Sequence, residues 1–176
     1  TMATIGTPML VFDRYVIGAN SKPGAYDFTH WTRLLEQIRS GAVQSGLPYW
    51  MAVQKCGIPP HLRMPAAEEL SVMSWLTLAH GGRGLFFFLY NSNTQTEHME
   101  GLVDTQLRPH PLFAEVARLT SQIKPIIPLL LTLKPVENIV GVEAGNAFDV
   151  QTATDEDGHR FIFLVNTDVV KPAHFS

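Results

Sequence analysis

The chain has 176 residues, of which 45% are hydrophobic and 16% charged, and a formal net charge of -3. At that length one domain with a real core is expected, because chains of this size bury most of the surface their unfolded form exposes. The negative balance and the lack of any Lys/Arg run argue against nucleic acid and anionic membrane as partners, and the single cysteine, Cys56, rules out an internal disulfide or a cysteine-based zinc site.

The opening TMATIGTPMLV lacks a basic start followed by a long apolar core, so no signal peptide is read, and strand-like sequence begins so soon that the chain reads as part of something longer. Met9 to Phe12 is a short continuous apolar run, the form of a buried strand, and delivers Asp13, Arg14 and Tyr15 at its end. Gly18 to Gly24 reads as loop. From Asp27, a plausible N-cap, the residues Phe28, Trp31, Leu35, Ile38 and Ala42 recur at helical spacing, and Gly41 and Gly46 help to stop the helix.

The next stretch predicts a parallel crossover unit. Tyr49 to Val53 and Leu85 to Tyr90 are continuously apolar or aromatic, as strands covered on both faces are. Each ends in polar side chains, Gln54 and Lys55 after the first and Asn91 and Ser92 after the second, and in α/β folds ligands bind at that end. Between them a helix starts near Pro65, carries Glu68 and Glu69 near its positive end, is apolar nearly all round, and stops at Gly81 and Gly82. Asn91 to His110 is long, polar and aperiodic, the form of a binding loop or lid. Pro111 opens a third helix, which Pro125 and Pro128 kink or end. The apolar stretch 126–133 is far too short to cross a bilayer. From Val136 period-two runs predict a hairpin, Phe148 to Thr152 and Arg160 to Val165, turned at Asp155 to Gly158.

The segments PYWMAVQKCG, RMPAAEELSVMSWLTLAHGGRGLFFFLYNS and EGLVDTQLRPHPLFAEVARLTSQI together resemble the last part of the (β/α)8 barrel in glycoside hydrolases of the broad β-galactosidase-like superfamily. The resemblance implies an α/β fold: a partial (β/α)8 TIM barrel made of its last three βα units over residues 1–135, then the start of an antiparallel, β-sandwich-like module over 136–176. It also implies hydrolysis of a glycosidic bond by two carboxyl groups. The acid/base of such enzymes comes from a strand this chain does not contain, and where the nucleophilic glutamate would stand the chain has Gln54. Asp13 is therefore the best catalytic candidate here, and Asp13, Tyr15, Gln54, Tyr90 and Asn91 are expected to line the sugar side. The alternative is a non-catalytic carbohydrate-binding or self-associating module. A carbohydrate partner is expected, with another chain segment or a second copy completing the barrel, and secretion or a periplasmic setting is compatible with this.

No cofactor and no metal are expected. Glu97, His98, Glu100, Asp104 and His110 crowd the long loop without the fixed spacing of strong metal motifs, and the loop reads as a solvated lid. Trp50 reads as core more than as a sugar platform, Trp31 and Trp75 as packing, Arg63 as the partner of Glu68, Cys56 as an inert thiol and His80 as a helix cap. Gly81, Gly82 and Gly84 precede a strand and so do not form a phosphate cradle.

Overall fold

The computed structural model describes residues 6–93, 98–136 and 147–170. The three apolar runs become β1 (Leu10–Arg14), β2 (Tyr49–Gln54) and β3 (Gly84–Phe88), paired in parallel in the order β1-β2-β3. Their register sets Val11 beside Trp50, Asp13 beside Ala52, Trp50 beside Gly84 and Gln54 beside Phe88. Strand alternation then sorts the side chains onto two faces. Leu10, Tyr49, Met51 and Val53 are buried on the helix side, whereas Val11 and Phe86 on the other face are 54% and 45% exposed. Trp50, expected in the core, lies on that open face with its ring centroid 5.0 Å from that of Phe86. A Cβ at Gly84 would come within 2.5 Å of the Trp50 ring, so only glycine lets the indole lie across β3.

Helix α1 (Thr29–Ser45) buries Trp31, Leu35, Ile38 and Ala42, the face its periodicity predicts, and ends at Gly46 in a left-handed conformation. Asp27 stands one residue ahead of the cap position, and its Oδ1 accepts from the Thr29 N–H and hydroxyl at 2.9 and 2.7 Å. Helix α2 (Ala67–Ala79) starts two residues after Pro65 and has no polar face. The reason is its position, since it packs on β2 on one side and on the second sheet on the other.

Helix α3 (Leu112–Ile123) passes through a 3-10 turn at Lys124–Ile126 into the short α4 (Ile127–Thr132), as the two prolines predict. The chain then forms an antiparallel sheet of β4 (Lys134–Val136), β5 (Phe148–Thr154) and β6 (Arg160–Asn166), in the order β4-β5-β6. Ala153 and Val165 from this sheet join the same apolar cluster as Leu70, Met73 and Leu76 of α2.

The expected partial TIM barrel is not found. Among the described residues the parallel strands form an open three-stranded sheet with β1 and β3 at its edges, and the chain after β3 and α3 enters the antiparallel sheet instead of returning beside β3. Three twisted strands cannot close, because a barrel of this kind needs eight strands with a matched tilt and stagger. Continuous apolar runs alternating with helices mark buried parallel strands in any α/β fold, so the pattern did not specify a barrel.

Candidate functional site

In a parallel sheet all three strands end at one edge, and the side chains that follow them gather there. Asp13 is exposed near the end of β1. Tyr15, just past it, reaches over the end of β2 to stack on Phe88 of β3, with ring centroids 5.4 Å apart and planes 19° apart. Burial, then the charges of Asp13 and Cys56, push the Tyr15 phenol up to about 12, so its hydroxyl stays a donor at neutral pH. Tyr90, 56% exposed, and the exposed Asn91 follow β3 by two and three residues.

Gln54 is placed differently. It is fully buried, its Oε1 accepts from the Ile17 N–H at 2.8 Å, and its Nε2 donates toward the carbonyls of Ile17, Cys56 and Arg63 at 3.1 to 3.3 Å. Those bonds tie the β1–α1 and β2–α2 loops to the end of β2 and leave the amide nothing to offer a ligand. Asp13, Tyr15, Tyr90 and Asn91 thus lie at the same end of the sheet, Tyr15 joined to β3 through Phe88, with Gln54 buried as a brace.

The ion pair of this edge also differs from the expected one. Arg63 pairs with Glu69, not Glu68, in a bidentate contact at 2.7 and 2.8 Å. The same carboxylate accepts from the Gly24 N–H at 3.1 Å and the Ala66 N–H at 2.8 Å, and Glu69 is fully buried.

Of the long loop after β3, residues 101–103 are packed against the body of the molecule, whereas 105–109 are exposed as a solvated loop is. Leu102 and Val103 are 4% exposed, and Gly57 and Glu100 exchange backbone hydrogen bonds at 3.2 and 2.8 Å. Glu97 lies outside the described residues. Asp104 is spent on its own turn, accepting from the Gln106 and Arg108 N–H groups and from the Arg108 guanidinium. Beneath this loop Lys55 is fully enclosed, and among the described residues its Nζ has no hydrogen-bond partner. Burial lowers its pKa to about 8. Burial also pushes the Cys56 thiol up to about 11, which keeps it protonated and unreactive. The His110 imidazole is held below its usual value by burial and then by the Lys55 charge, with Glu100 opposing.

The sequence is matched by no model of a known protein family and by no curated protein. Phe88 and the Glu69 hub were not singled out from sequence, and Lys55 was read only as a polar residue at the strand end. Phe88 was the findable one, as the last residue of an aromatic run in register with Gln54.

The enclosed Lys55 has a checkable consequence. A lysine whose folded pKa lies below its unfolded value of about 10.4 makes the unfolded chain bind more protons between the two, so stability rises as pH goes from about 8 to about 10. Lys55→Met is expected to stabilise the fold at pH 7 by roughly 2 kcal/mol and to flatten that rise. Urea titrations of both proteins across the window test this, and equal slopes would sink it.

Proposed function

We propose that this chain is the sugar-holding part of a carbohydrate-active protein of glycoside hydrolase type. The observation that carries the reading is the Tyr15–Phe88 stack at the strand ends, with the exposed Tyr90, Asn91 and Asp13 at the same edge. Aromatic faces suit the apolar faces of pyranose rings, while a carboxylate, an amide and phenol hydroxyls suit the sugar hydroxyls. Binding, rather than turnover, is the chain's own contribution, since the end of β2 carries the committed amide of Gln54 and no carboxylate. Hydrolysis would pair Asp13 with a second carboxyl group roughly 5–10 Å away.

The test is a panel of neutral oligosaccharides titrated against the protein and followed by NMR shifts and calorimetry. Saturable binding of at least one is expected, and Tyr90→Ala, at an exposed position, should weaken it by about tenfold, as loss of one aromatic contact does. Failure of every member of the panel to bind would overturn the reading.

A further inference from the structure

At the opposite end of the parallel sheet lies a cavity of about 500 Å³ between α1, the start of β2, the turn leading to β3, and β4. Its lining includes Arg39, Arg83 and Lys134, together with Tyr49, His80 and Pro135, and among the described residues no carboxylate. Three permanent positive charges thus meet around one space.

Among the described residues none of the three cations makes an ion pair. The Arg39 guanidinium donates to the Gln151 Oε1 and the Val136 carbonyl, at 2.8 and 2.7 Å. That of Arg83 donates to the Leu130 and Leu133 carbonyls. Every one of these acceptors is neutral, and part-buried guanidiniums are ordinarily paired. Burial raises the Tyr49 phenol above its ordinary value, and Arg39 and Arg83 both pull it back, so the two guanidiniums act on one hydroxyl. His80 is fully buried, its Nε2 faces Asp149 at 3.2 Å, and among the described residues its Nδ1 has no partner.

Helices α1, α2 and α4 also end on this side of the molecule. Each C-terminus contributes about half a negative charge that fades within a turn, which offsets only part of three full positive charges. Asp149, which His80 faces, is taken by His80 and by the Gln151 amide.

We propose that this cavity binds a small phosphate-bearing organic molecule, its phosphate held by Arg39, Arg83 and Lys134 and its body against the apolar wall at Pro135. The volume lies within the range of ordinary ligand pockets and exceeds what a bare phosphate fills. A dianion with three acceptor oxygens suits three converging cations better than a singly charged carboxylate does. This site is independent of the sugar-holding edge, and neither reading falls with the other.

Phenyl phosphate, inorganic phosphate and phenol serve as probes, titrated by calorimetry and by NMR. Saturable binding is expected for both phosphates, tighter for phenyl phosphate, and none for phenol. Lys134 is exposed, so Lys134→Ala should leave the fold intact and weaken phenyl phosphate by about tenfold, the loss of one charge-assisted bond. Arg39→Gln should weaken it at least as much, and if that variant fails to fold, Lys134→Ala decides. Absence of saturable phosphate binding, affinity unchanged by Lys134→Ala, or phenol binding as tightly as phenyl phosphate would each overturn the proposal.

Discussion

Replacing Glu69 with alanine is expected to destabilise the fold by about 4 kcal/mol, because it leaves a part-buried guanidinium with no counter-charge and two N–H groups with no acceptor. Arg63 is only 14% exposed at its side chain and holds both oxygens of a carboxylate that is 0% exposed. The Gly24 and Ala66 N–H groups lose their partner in the same step. Burial alone would raise the Glu69 pKa, but the hydrogen bonds from Arg63, Ala66 and Gly24 and the guanidinium charge outweigh it and hold the group below the ordinary carboxylate value. A lowered carboxyl pKa contributes stability that is present above the unfolded value, about 4.3, and is lost as pH falls through the folded one. Urea unfolding at pH 7 should therefore show the full deficit, and at pH 3 the deficit should shrink. Glu68, exposed one residue earlier, is the control, and Glu68→Ala should change stability by less than about 0.5 kcal/mol. If the two variants lose the same stability, the hub is misassigned.

That pair of glutamates shows where sequence reading stopped. Adjacent Glu residues in the first turn of a helix both suit the dipole, and nothing local says which one turns inward to meet Arg63. The choice is made by Gly24 and by the β1–α1 loop, 45 residues away along the chain. Elements set by local periodicity were legible: the buried face of α1, the parallel strands, the proline break after α3 and the antiparallel hairpin all follow from spacing alone. How the elements assemble was not. A helix apolar on all sides, as α2 is, demands cover on two faces, but its composition does not say whether a barrel or a second sheet supplies it, and here β5 and β6 do. The open face carrying Trp50 and Phe86 is the same failure seen from the other side, since apolar residues in a strand do not name what they face.

The candidate edge divides along the same line. Residues near a strand end, such as Asp13 at the next-to-last position of β1 and Tyr15 just past it, could be placed by counting. The stacking of Tyr15 on Phe88 could not, because it spans β2 and depends on the register of both neighbours. Gln54 was correctly placed at the edge, yet its side chain turns into the loops, where it meets backbone groups that no spacing rule reveals.

For that reason Gln54→Glu should not create a hydrolase. The three carbonyls of Ile17, Cys56 and Arg63 that now accept from the amide nitrogen would face a carboxylate oxygen, with only the Ile17 N–H as a donor. Burying an ion against acceptors costs about 4 kcal/mol or forces the group to hold its proton. The introduced carboxyl should therefore titrate above its unfolded value of about 4.3, so stability matches the native protein most closely in acid and falls as pH rises through the folded value. Thermal unfolding of the native protein and the variant at pH 4 and pH 8 reads this directly. Hydrolysis of aryl glycosides should stay at background throughout, since a protonated, enclosed carboxyl cannot attack a sugar carbon. A variant as stable as the native chain at pH 8, or one that gains turnover, would mean that the Gln54 amide faces a ligand and does not brace the loops.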